Sequence, residues 1–221
     1  MNLTSAQLVT VAIVYLASAV PAAVLLYLYV AKKLPKWLFA VYVSSFIACA
    51  LGWEIWLTYG LVDGLDVNSR RPEALSAAIP LHINWMLNSL GDAAAVGLVG
   101  VLLVWVCYGR TDAAFRSWRW GAFTILLLWF VGQNLLVELY VYQEQLAEGF
   151  RLSWAPLIPT GPWYNPTLFQ LGGRTVQLQT QLPWLLMTPL YYGLVIGFYN
   201  RFNGADTGAD NAGAVCALPG K

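Results

Sequence analysis

The residues of this chain that can do chemistry recur at one helical turn. Asn84, Asn88 and Asp92 follow one another every four residues, and so do Asn134, Glu138 and Tyr142, with Gln133 alongside. At 3.6 residues per turn, that spacing draws a slowly drifting polar stripe down one helix face. Glu54 and Thr58 repeat it, as do Gln177 and Gln181, and His82 stands just ahead of the first stripe. Carboxyl groups, one imidazole and a set of amides are the parts of an acid/base site, in which one group gives a proton, a second takes one and the amides hold a ligand. His82 is the only histidine, so the histidine-rich clusters of membrane di-iron enzymes are excluded. No Ser-His-Asp order, glycine-rich phosphate loop or metal motif stands out. Cys49, Cys107 and Cys216 show neither metal nor disulfide spacing. No metal and no cofactor are expected.

The elements that must position these groups follow from composition. Of 221 residues, 59% are hydrophobic and 10% charged, against roughly 25% charged in soluble domains. A net charge of +1 offers no basic face for nucleic acid. The apolar residues gather in five runs, about 8–31, 37–60, 78–108, 120–142 and 179–199, each close to or above the ~20 residues that cross a bilayer. The chain therefore reads as an all-α integral membrane protein, with a five-span domain over 1–202 and a disordered cytoplasmic tail over 203–221. The first run is too long for a cleaved signal and has no basic segment before it. Pro183 and Pro189 in the last run predict a kink.

Basic residues set the orientation, because they stay on the cytoplasmic side of span ends. Lys32, Lys33, Lys36, Arg110, Arg116, Arg119, Arg201 and Lys221 fall on one side; Arg70, Arg71, Arg151 and Arg174 fall on the other. The amino terminus is thus expected outside or in a lumen and the carboxyl terminus in the cytoplasm. That orientation puts Glu54, His82, Asn84, Asn88, Glu138 and Gln181 in the outer half of the bundle and Asp92 near its midplane. Two long outer connections result, and the second, 143–176, reads either as a lid at the interface, through Trp154, Trp163, Tyr164 and its prolines, or as a simple connection.

Amides in membrane bundles often serve as interhelical glue worth ~0.6 kcal/mol each, and Glu54 is close enough to a span end to snorkel. Glu138 and Asp92 lie deeper, where a carboxyl group is expensive unless paired or protonated, which points to function. Tryptophans within the runs, Trp53, Trp85 and Trp184 among them, would line a cavity for a flat polycyclic or polyene ligand and face developing positive charge. Trp37, Trp118 and Trp120 read as interfacial anchors.

Short motifs in the last four runs resemble the emopamil-binding, or EXPERA, family, membrane proteins that include a sterol isomerase and sterol-binding relatives. Leu51-Gly52-Trp53 stands where the isomerase pattern has acidic-Gly-Trp. Val131-Gly132-Gln133 with Leu139-Tyr140 is similar to its Val-Gly-Gln and Leu-Tyr at the same spacing. Gln181-Leu182-Pro183-Trp184, followed by Pro189, resembles the family's amide-x-x-Trp with a later proline. The resemblance covers about Val41 to Tyr199 and implies an EXPERA-like bundle of spans two to five, with Gln181 and Trp184 as the ligand-facing pair. It does not carry the isomerase's catalytic set across: the places of its second-span His and Glu hold Ile47 and Leu51, and Asn88 is the polar residue nearest its third-span Glu.

Three functions compete at this point. The first is an intramembrane isomerase-like enzyme acting on a sterol, isoprenoid or similar lipid, with Glu138 as proton donor, Trp184 and a second carboxylate facing the carbocation, and His82 or Glu54 as base; Asp92 completes this set. Asn84, Asn88, Gln133, Asn134, Gln181, Trp184, Trp85, Trp53 and Tyr142 would bind the ligand. The second is a non-catalytic lipid-binding or transport protein of the same fold. The third is an accessory subunit, its stripes buried against partner helices; the partner expectations are a lipid ligand, the membrane and a homodimer.

Overall fold

The computed structural model describes residues 3–62, 64–159 and 161–214, with side chains as far as Asn203. Among these, five helices are long and apolar enough to cross a membrane. They are α1 (Ser5–Val30), α2 (Lys36–Tyr59), α4 (Leu81–Cys107), α6 (Trp120–Gln145) and α7 (Leu178–Ala214), whose span-length part ends at Asn203. Two short helices, α3 (Glu73–Ala78) and α5 (Ala113–Arg116), lie in the connections.

Local chemistry sets the ends. Thr4 opens α1 with a capping box: its hydroxyl accepts from the Gln7 amide, and the Gln7 side chain accepts from the Thr4 amide, satisfying two otherwise orphan donors. Pro35 and Pro80 precede α2 and α4; the Pro80 break separates α3 from α4, so the third span starts at Leu81 rather than at about residue 78. Gly60 closes α2 in a left-handed conformation, and a Cβ there would lie 2.3 Å from the Gly64 carbonyl oxygen, so only glycine fits. Helix α7 runs unbroken through Pro183 and Pro189. Its backbone continues as helix to Ala214, past the position where the sequence placed the start of a disordered tail; residues 215–221 of that tail lie outside the described residues.

Helices α2, α4, α6 and α7 pack around an aromatic core. Trp184 meets Trp53 at 5.3 Å and Phe130 at 5.7 Å between ring centres, and Phe130 meets Tyr191 at 5.3 Å. Gly100 lets α4 approach α6, since a Cβ there would sit 2.9 Å from Leu126 Cδ2 and 3.0 Å from Phe130 Cε1. Helix α1 lies against the first half of α4, and Tyr15 of α1 donates its hydroxyl to the Ala78 carbonyl. Trp37, expected at an interface, is buried between Phe115 and Tyr199, because α5 folds back over it. Trp118 and Trp120 are exposed.

The long 143–176 connection is structured. After a turn at Gln143–Gln145, the stretch Leu152–Ala155 is buried, and the Ala155 amide donates to the Leu57 carbonyl at the end of α2. Strands β1 (Thr167–Leu171) and β2 (Arg174–Gln177) then form an antiparallel hairpin, with Leu171 paired to Arg174 across Gly172-Gly173. Both glycines have positive φ, the geometry a two-residue hairpin turn demands.

Candidate functional site

Three of the long helices open into π-helical turns, Ala50–Glu54 in α2, Asp92–Leu98 in α4 and Val137–Val141 in α6. Each turn contains one of the carboxyl groups: Glu54, Asp92 or Glu138. The i→i+5 ladder of such a turn widens the helix and re-aims its side chains, and such turns recur at functional sites. Indoles brace them. Trp85 donates to the Ala50 carbonyl and Trp129 to the Val96 carbonyl, both at 2.9 Å, and Trp53 donates to Asp92 Oδ2 at 2.9 Å.

Glu54 and Asp92 come together. Both line a cavity of about 40 Å³, with Trp53, Gln133, Asn134, Tyr142, Thr180 and Trp184 among its walls. Asn88 and Asp92 flank the Glu54 carboxyl, whose Oε2 has no hydrogen-bond partner. A space of this size takes one or two waters, since a water's share of liquid volume is about 30 Å³. Small-molecule pockets run to roughly 300 Å³ and more, so a flat ring system does not fit until side chains move.

Toward the end of the bundle that carries Arg70 and Arg71, a second polar layer covers the first. Arg71 is buried, donating to Asn84 Oδ1 at 3.0 Å, Asn68 Oδ1 at 3.1 Å and the Ile79 carbonyl at 3.2 Å. Asn84 in turn donates to Thr58 at 3.3 Å. Burial pulls the Arg71 guanidinium down to about 10, opposed by the nearby Asp66 carboxylate and by Tyr142, which leaves it charged at neutral pH. Arg71 was read from sequence only as an orientation charge, and nothing in its neighbourhood separates it from Arg70 beside it. Ser153 and Trp154, from the buried stretch of the long connection, line the space between this layer and Glu54.

Several expected residues stand elsewhere. Glu138 does not line the Glu54–Asp92 cavity; it faces a small space under the connection, walled by Tyr142, Ser153 and Trp154. Thr180 and Gln181 lie beside it, yet neither carboxyl oxygen completes a hydrogen bond of good geometry. Tyr142 borders both spaces and is within electrostatic reach of Glu54, Asp92 and Glu138. His82 is exposed at the start of α4, its Nδ1 2.7 Å from the Tyr59 hydroxyl, because its position places it on the opposite face from buried Asn84. Gln181 is buried beside Thr180 and Glu138 rather than in the cavity wall. Gln177 shares no helix face with Gln181, since it ends strand β2. Trp85 braces the α2 turn and lines none of these spaces. Gln133 and Asn134 reach the cavity, but Gln133 donates to the Phe130 carbonyl and Asn134 to the Thr180 carbonyl. Among the described residues, no group of His, Cys, Asp and Glu is placed to hold a metal.

No protein family, curated protein or solved structure matches the chain.

Proposed function

We propose that the protein is an intramembrane proton-transfer enzyme, a double-bond isomerase acting on a sterol, isoprenoid or similar apolar lipid at the Glu54–Asp92 pair. The observation that carries this reading is the meeting of two carboxyl groups from neighbouring helices in one cavity walled by the indoles of Trp53 and Trp184. A pair of carboxyls that holds one proton between them presents an acid and a base together. Asp92 Oδ2 accepts from the Trp53 N–H while Glu54 Oε2 has no partner, and on that difference we assign Asp92 as base and Glu54 as acid.

In the proposed reaction, the Glu54 proton passes to one alkene carbon, and the π electrons form the new C–H bond. The cation left on the adjacent carbon faces the indoles and the Asp92 carboxylate. Asp92 then takes a proton from the next carbon, and that C–H electron pair forms the displaced double bond. The proton returns from Asp92 to Glu54, so no oxidant or reductant is needed. In this reading the small cavity is a closed state of the site, from which Trp184 and the buried Leu152–Ala155 stretch withdraw to admit the lipid. The proposal keeps the EXPERA-like reading for Trp184 but not for Gln181, and keeps the bilayer orientation with the Arg71 layer outside.

One observation favours the non-catalytic lipid-binding reading: the buried Glu54 Oε2 has no hydrogen-bond partner and could hold a ligand hydroxyl. Identifying the lipid retained on purification and following its double-bond isomers separates the two. The enzyme reading expects Glu54→Gln and Asp92→Asn to keep the lipid while slowing isomerisation about 100-fold or more. Retained lipid that the native protein leaves unchanged would give the binding reading instead.

A further inference from the structure

Among the described residues, a cavity larger than those around the carboxyl groups lies toward the other end of the bundle. It measures about 310 Å³ and opens between α2 and α4, walled by Trp37, Leu38, Leu98, Val101, Leu102 and Trp105. Its volume reaches the range of small-molecule sites, and apart from Asp112 its lining is apolar. Pro35, Asp112 and Phe115 edge it where the helices end.

That edge is cationic. Lys32, Lys33 and Lys36 flank Pro35 on the α1–α2 connection, and Arg110 and Arg116 flank Asp112 on the α4–α6 connection; all five are exposed. Asp112 is the one acid among the described side chains of these two connections, and its Oδ2 accepts from the Tyr199 hydroxyl at 3.1 Å. Among the described residues, the only positive-φ positions not held by glycine are Lys32 (φ 57) and Arg110 (φ 60). Left-handed positions usually fall to glycine or asparagine. Here both carry a cation, and both end a helix beside the same groove. The Arg110 backbone amide donates to the carbonyl of Trp105, a wall residue, at 2.8 Å, which fixes the backbone of Arg110 at the helix end that borders the groove.

We propose that this groove binds one acyl chain of an acidic phospholipid, whose headgroup phosphate is held by the basic connections above it. An apolar slot open between two helices suits a hydrocarbon chain, and exposed cations on the two connections that edge it suit an anionic phosphodiester rather than a zwitterionic head. The site is separate from the carboxyl pair and does not depend on the reaction assigned there.

Native mass spectrometry of the purified full chain in mild detergent, titrated with phosphatidylglycerol and phosphatidylcholine of identical chains, tests it. Phosphatidylglycerol is expected to bind at least tenfold more tightly. The double variant Lys36→Gln/Arg110→Gln should erase that preference, while Arg174→Gln, at the other end, should leave it intact. Leu102→Trp, which fills the groove from α4, and Leu38→Trp, which fills it from α2, should weaken binding of both lipids; near-UV circular dichroism checks that each variant is folded. Equal affinity for the two lipids, or a preference that survives the double variant, would overturn the charged mouth. Binding unchanged in both folded tryptophan variants would overturn the groove, leaving only adsorption of headgroups to basic loops.

Discussion

In the proposed reaction the Trp53 N–H on Asp92 Oδ2 is the contact that distinguishes the two carboxyls, Asp92 as base and Glu54 as acid. Trp53→Phe removes that donor while keeping the ring. It is expected to cost about 1 kcal/mol of stability, within the range of interhelical hydrogen bonds in membranes, and to lower turnover far more than that loss explains. Thermal melting set beside isomerisation rate distinguishes the two effects; equal melting and equal rate would remove Asp92's assigned role. Arg71 carries a different burden. Its guanidinium satisfies Asn84, Asn68 and the Ile79 carbonyl at once, and Arg71→Met would strand all three acceptors. A loss of roughly 3 kcal/mol follows from the strength of charged hydrogen bonds, measurable as a lower melting temperature. The stripes on α4 and α6 were legible in the sequence because spacing reports helix faces. Arg71 was not, because burial of a loop cation depends on how the loop folds back, and no local pattern encodes that.

At the scale of elements, the three π turns explain both what periodicity predicted and where it failed. A four-residue repeat assumes a uniform helix, and it placed Asn84, Asn88 and Asp92 on one face, which holds until the turn begins at Asp92. Beyond the start of a π turn, the face rotates away from the extrapolated line. Glu138, inside the Val137–Val141 turn, accordingly points under the long connection rather than at Glu54. Sequence gave no sign of these turns. Deleting Leu51, an exposed residue within the first turn, should restore α-helical pitch and move Glu54 off the cavity: the chain is expected to keep its helix content by circular dichroism but lose isomerisation. Full activity in that deletion would show that the π geometry is incidental. The close approach of α4 to α6 gives a second element-level test. Gly100→Val would press on Leu126 and Phe130 and should cost about 1–3 kcal/mol by overpacking, read as a drop in melting temperature without any change in lipid preference.

For the whole molecule, composition and run length located all five long helices to within a few residues at most ends, since hydrophobic length is a global property that local irregularity does not disturb. The long 143–176 connection was ambiguous for the converse reason. Its Trp154 turns inward to line the polar layer while Trp163 is 89% exposed, and tryptophan content alone cannot say which does which. The proposed orientation places that connection outside and the basic loops in the cytoplasm. With the native cysteines replaced, a membrane-impermeant maleimide added to intact cells is expected to label Glu148→Cys and to spare Arg110→Cys, and the reverse pattern would invert the topology. The central claim is proton transfer at Glu54 and Asp92, and deuterium tests it before the substrate's product is known. The purified protein with its retained lipid is transferred to heavy water, and the extracted lipid is weighed by mass spectrometry. Proton transfer predicts deuterium on carbon in a sterol or isoprenoid, absent after Glu54→Gln and after Asp92→Asn. A retained lipid that takes up no deuterium from the native protein, or equal uptake in both variants, would contradict it.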